Sequence, residues 1–158
     1  MMILLAWGHL LAAVVWIGGM VFLSFILVPV FKRGTFGADR RMLFQTLARR
    51  FRVAVWVSII VLIATGPLLV SSKTGTMAEP EGWRSVLTTK LWMVSLLIGL
   101  TAVHDFWLGP LIGRLRRESS DTPSSADQLL INLSTWIARL SLILAFAVLF
   151  VAVALART

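Results

Sequence analysis

Apolar side chains run almost unbroken through four stretches of this chain, and charged side chains gather between them. The first stretch, Met1 to Phe31, contains no charged residue. The second runs from about Val53 to Val70 and the third from about Trp83 to Ile112, most continuously from Leu91. The fourth begins near Asp127 and reaches about Leu155. Each approaches the ~20 residues an α-helix needs to cross the hydrocarbon layer. The pattern predicts an all-α, integral membrane four-helix bundle. It forms one domain over residues 1–158, with spans at about 3–31, 52–71, 86–113 and 129–155. Pro29 is expected to end or bend the first helix, and Gly66-Pro67 to weaken the second near its end. The segment Glu118–Ala126 reads as a mobile polar loop. The first stretch lacks the basic start and small-residue cleavage site of a signal peptide, so a retained helix is expected. No internal repeat stands out.

Composition agrees with this pattern. Hydrophobic residues make up 58% of the chain, charged residues 14%, and the mean hydropathy is +0.90. A soluble domain carries about a quarter charged residues. So short a chain cannot hide this apolar excess in its own core, so the lipid bilayer must cover the rest. There is no cysteine, which excludes disulfides, thiolate metal sites and cysteine nucleophiles. The absence of tyrosine removes tyrosyl ligands. Tryptophan, present seven times, suits the membrane interfaces.

A net charge of +8 would suggest nucleic acid if it were spread over a soluble surface. Here the basic residues lie in the connections, where they report orientation, and no nucleic-acid partner is expected. Lys32, Arg33, Arg40, Arg41, Arg49, Arg50 and Arg52 fall at the first connection, and Arg114, Arg116 and Arg117 at the third. Lys73, Arg84, Lys90 and Arg157 fall on the other side. Ten against four places the first and third connections in the cytoplasm. Both termini are then on the outer, periplasmic side of a bacterial inner membrane.

Polar residues inside the spans are few, because hydrocarbon penalises them. They are His9, Lys90, His104, Asp105 and Arg139, with Thr65, Ser95, Thr101 and Asn132 as milder members. Lys32 lies 23 residues beyond His9, and Arg114 lies 24 beyond Lys90. At ~1.5 Å per residue, His9 and Lys90 are expected at one level near the outer interface, with His104 roughly 20 Å deeper. The outer layer comprises His9 and Lys90, with Met93 as a third candidate. His9, Trp16 and Met20 share one face of the first helix, and Lys90, Leu97, Thr101, His104 and Leu108 one face of the third. His9 in this layer is either a metal or heme ligand or a hydrogen-bonded interfacial imidazole, beside a snorkelling lysine. The inner layer comprises His104 and Asp105, with Arg139 expected to pair with the carboxylate. That pair either fixes helix packing alone or serves a cofactor, with Arg139 facing a propionate or another anion. Gly18-Gly19 either lets helices approach or leaves room for a macrocycle.

One segment carries a family resemblance. The opening His9-Leu-Leu-Ala-Ala-Val-Val-Trp16-Ile-Gly18-Gly19 resembles the first helix of the copper resistance protein D (CopD) domain. Ala48-Arg-Arg-Phe51, leading to Ala64-Thr65-Gly66, and Lys90-Leu91 resemble it further along. The resemblance covers most of the first three helices and is weak in the fourth. It implies a protein that handles copper across or within the membrane. His9, His104, Met20 and Met93 are its candidate metal ligands, with a periplasmic copper or electron carrier as a possible partner. His9 and Lys90 are also similar to residues of HemJ-type protoporphyrinogen oxidases, a related four-helix family linked to heme b. That likeness implies a cofactor held by His9, Lys90, His104 and Arg139. Phe25 stands where that family has an arginine, and His104-Asp-Phe-Trp-Leu-Gly-Pro110 is closer to small CopD-like proteins. A third reading is an accessory subunit of a larger membrane complex, or a homo-oligomer. Paired carboxylates, a Ser/His/Asp set and a phosphate-binding glycine loop are all missing, so an enzyme is the less favoured reading.

Overall fold

A computed structural model describes residues 1–32, 40–74, 83–118 and 124–157, and the regular structure among them is entirely helical. Four stretches are long and apolar enough to cross a membrane: Met2–Phe31, Met42–Ser71, Arg84–Arg114 and Asp127–Ala154. Their outward side chains are greasy. Trp92, Trp107 and Phe150 are 74%, 76% and 77% exposed, in a chain with dozens of other uncovered apolar residues. Water does not tolerate apolar surface on that scale, so lipid covers it.

The chain divides into two compact units, Met1–Ala78 and Glu79–Thr158. The first contains α1 (Met2–Phe22), a π-helical turn (Leu23–Leu27), α2 (Val28–Lys32) and α3 (Arg40–Thr74). The second contains α4 (Trp83–Ala102), a π-helical turn (Val103–Leu108), α5 (Gly109–Glu118) and α6 (Ser125–Arg157). The loop expected at 118–126 falls mostly on residues 119–123, outside the described residues.

One expectation needs correction and another is narrowed. The second helix begins at Arg40 and not near 52. Arginine is a good helix former, so the basic run limits how much of the helix enters lipid without ending the helix itself. Its 35 residues extend about 52 Å, well beyond a ~30 Å hydrocarbon layer. Of the two outcomes expected at Pro29, an end or a bend, the helix does not end there. Its ring would strike the carbonyl four residues back, and it has no N–H to give. The preceding turn widens, with the Val28 N–H bonding the Leu23 carbonyl five residues back, and helix resumes to Lys32. The same device recurs before Pro110, where the Gly109 N–H bonds the His104 carbonyl. Pro67, by contrast, lies within α3, which continues to Thr74.

In the first unit α1 and α3 run antiparallel, since His9 meets Thr65 while Gly19 meets Phe51. Ala12, Trp16 and Ile17 are buried on α1, and Val55, Ser58 and Ile59 on α3. A Cβ on Gly19 would collide with the Phe51 ring, whereas one on Gly18 would meet nothing within 4 Å. The packing role expected of the glycine pair therefore belongs to Gly19. Phe31 and Phe44 meet edge-on at 5.3 Å between ring centroids.

The second unit buries Leu97 and Thr101 on α4, Leu108 in the π-turn, and Ser141, Ala145 and Val148 on α6. Its α6 starts from a reciprocal cap: the Ser124 N–H donates to Asp127 Oδ2 at 3.0 Å, and the Asp127 N–H donates to Ser124 Oγ at 3.3 Å. Buried hydroxyls in both units donate to the carbonyl four residues back on their own helix. Ser58 bonds Ala54, Thr101 bonds Leu97 and Ser141 bonds Ile137. Satisfied this way, a hydroxyl avoids the several kcal/mol that an unpaired polar group costs in hydrocarbon.

The two units share a register that is hard to see in the sequence. Each π-turn ends two residues before its proline, and Leu27 with Pro29 recurs 81 positions on as Leu108 with Pro110. At the same offset Trp16 corresponds to Leu97, both almost fully buried, and His9 corresponds to Lys90.

Candidate functional site

His9 lies on α1 one face-repeat before Trp16, and the apolar, cap-free sequence around it leaves that helix unbroken to Phe22. Its Nδ1 is 2.7 Å from Thr65 Oγ1 on α3. The Thr65 hydroxyl has one proton, and it goes to the Val61 carbonyl at 2.6 Å. Thr65 can then only accept from the imidazole, so Nδ1 carries the ring proton. In the neutral ring the lone pair is therefore on Nε2. An N–H···O contact that fixes the tautomer is the usual support of a metal-binding histidine. Gly66 completes the wall, since a Cβ there would touch His9 Cε1 at 3.7 Å, ordinary contact distance. Sequence reasoning noted Thr65 as a polar residue in a span but did not pair it with His9. An intramembrane threonine beside a glycine was the available signal.

Trp16 is 2% exposed, and its Nε1 is the buried side-chain donor left without an acceptor among the described residues. It lies seven residues from His9, about 10 Å along the helix. Met20, half-buried, follows eleven residues after His9. At ~1.5 Å per residue that is about 16 Å, too far for one ion to be shared by both side chains. No group of three or more His, Cys, Asp or Glu side chains comes together among the described residues.

In the second unit His104 lies inside the π-turn, with Nδ1 3.2 Å from Asp105 Oδ1. A carboxylate accepts, so this imidazole also donates from Nδ1. Its side chain is 40% exposed against 16% for Asp105. Arg139 is not the partner expected for that carboxylate. It is exposed, and its guanidinium lies 5.3 Å from the centre of the Trp136 ring, three residues back on α6. The i, i+3 spacing explains the contact, and it was legible in the sequence. Lys90 and Met93 are both half-buried on α4.

These features define a multi-pass helical membrane protein with an oriented imidazole in each of two units. Residues 45–155 match the family model described as Copper resistance protein D. That match covers well over half of the chain, and the chain belongs to this copper-resistance family. It runs from α3 into α6, so it includes the fourth helix, where the motif resemblance is weakest, and stops short of α1. An uncharacterized protein of Aquifex aeolicus (strain VF5) is 31% identical over 102 residues, covering 64% of this chain and 66% of that relative. No solved structure matches.

Proposed function

We propose that this protein handles copper ions within or across a bacterial inner membrane, with both termini outside and His9 Nε2 as a ligand to the ion in transit. The observation that carries the reading is the chain of hydrogen bonds from His9 through Thr65 to Val61, which sets the lone pair on Nε2. Donor chemistry supports passage more than storage. An imidazole suits copper, and among the described residues no group of three or more His, Cys, Asp or Glu side chains surrounds it. A site on a conduction path must bind weakly enough to release. Membership of the copper-resistance family supports the identity of the cargo.

Copper titration of the detergent-purified full chain against a chromophoric chelator tests this. His9→Ala is expected to abolish one-site binding, and His104→Ala to leave it. Wild-type affinity in His9→Ala would end the reading.

A second reading has its own support. The Trp16 indole N–H is a buried donor facing no acceptor, and a copper cation cannot supply one. An anionic group on a larger ligand held by His9 could. Heme b would be held by His9, with the Trp16 N–H as a donor to one of its carboxylates, and it would supply redox chemistry in the membrane. Absorbance of the purified protein separates the two readings. A Soret band lost in His9→Ala selects heme, and copper in metal analysis without such a band selects the first reading.

A further inference from the structure

Beyond the imidazole sites, the second unit has an open groove of about 510 Å³ that neither reading uses. It is walled by Val103, Trp107 and Leu111 along the π-turn and α5, and by Leu133 and Ile137 on α6. Arg114 lines it too, at the end of the third span. Val103, Trp107 and Leu108 of the lining belong to the π-turn itself, and Pro110 follows it directly.

We propose that this groove binds an anionic glycerophospholipid, with an acyl chain against the apolar walls and the phosphate at Arg114. Three observations select this occupant. Every wall residue except Arg114 is apolar, which suits hydrocarbon and offers a polar small molecule nothing to bond. From Val103 to Arg114 is eleven residues, about 16 Å, the depth of one leaflet of a ~30 Å hydrocarbon layer. The guanidinium therefore sits at headgroup level when the walls lie beside acyl chains. Finally, Arg114 is exposed, so its guanidinium can reach a headgroup at the end of the groove. Arg116 and Arg117 follow it in the sequence. The complementary headgroup is a phosphate without a compensating cation, as in phosphatidylglycerol.

Native mass spectrometry of the full chain, delipidated in detergent, reads the occupancy directly. The probes are phosphatidylglycerol and phosphatidylcholine with identical acyl chains. One basic residue near an anionic lipid contributes about 1 kcal/mol, so wild type should prefer phosphatidylglycerol roughly fivefold. Arg114→Gln should remove that preference, Arg114→Lys should keep most of it, and Arg139→Gln should not alter it. Leu133→Trp, which fills the groove, should weaken binding of both lipids. Circular dichroism confirms that each variant remains helical. Equal binding of the two lipids by wild type overturns the proposal, as does a preference that survives Arg114→Gln. Displacement of phosphatidylglycerol by inorganic phosphate would mark a free-anion site and overturn it as well. Dimers that form on delipidation and vanish in Leu133→Trp would assign the groove to a second copy of the chain instead.

Discussion

In the first unit the histidine stands on regular α-helix and is held by a hydroxyl from a different helix, whereas in the second it stands inside the π-turn and is held by the carboxylate beside it. Only the first arrangement depends on the helices being correctly packed. His104 and Asp105 can meet in an isolated helix, since they are neighbours in the chain. His9 and Thr65 are 56 residues apart and meet only if α1 and α3 pack in the observed register. Two units with one backbone plan thus differ in what orients their imidazoles. The tertiary contact is the one that makes a binding site a property of the fold.

The sharpest way to break this comparison exchanges the packing residue. Gly19 touches the Phe51 ring, and the position 81 residues on is Leu100. A methyl group at Gly19 would strike the Phe51 ring, which must shift to admit it, and overpacking of a few atoms costs about 1–3 kcal/mol. Gly19→Leu is therefore expected to exceed that range and abolish the folded hairpin, read as loss of a cooperative thermal transition in detergent. Gly18→Ala, with open space around its Cβ position, should leave the transition within a degree or two of wild type, roughly ±0.5 kcal/mol. Adding Phe51→Ala to Gly19→Leu should restore the transition. A Gly19→Leu protein as stable as wild type would show that α1 and α3 do not depend on this contact.

A smaller effect sharpens the difference between the imidazoles. Loss of a residue that orients a metal ligand lowers affinity about 10–100-fold. Thr65→Val keeps the shape of the side chain and removes the acceptor, so it should weaken copper binding by that factor. Thr65→Ser should retain most of the affinity. Asp105→Asn should leave the same titration unchanged, because His104 serves a different place in the chain. If Thr65→Val binds copper as wild type does, the contact across helices is packing alone.

Much of the fold was legible because lipid imposes one rule on every span. A run of apolar residues from Met1 to Phe31 admits little but a helix, and the third and fourth spans came out within a few residues of their expected limits. What was missed shares a cause. The start of α3 was hidden by Arg49, Arg50 and Arg52, which bear on the membrane boundary and were taken to bear on the helix. The π-turns were hidden because a proline in a membrane helix can end it, kink it or widen the turn before it, and the residue alone does not choose. The repeat was hidden because packing preserves burial rather than residue type, so Trp16 and Leu97 correspond although one is aromatic and the other aliphatic. In the site, His9 and His104 were found by type alone. Their partners were not equally readable. Asp105 is adjacent in sequence, whereas Thr65 required knowledge of which faces of α1 and α3 meet.

The mildest test concerns how α6 starts. Ser124 and Asp127 exchange hydrogen bonds that satisfy donors the first helical turn leaves open. Replacing such a cap by alanine costs about 1 kcal/mol. Ser124→Ala should therefore speed amide hydrogen exchange at Ser125 to Gln128 roughly fivefold, with no change along α1 or α3. Ser124→Asp, another good cap, should bring the rates back. The loss should stay local for a physical reason. Beyond the first turn α6 enters its apolar span, where an unpaired amide costs several kcal/mol, so fraying stops before Leu133 and Ile137. Faster exchange at those two residues would mean that the cap holds the wall of the groove itself. In that case Ser124→Ala should also weaken lipid binding there.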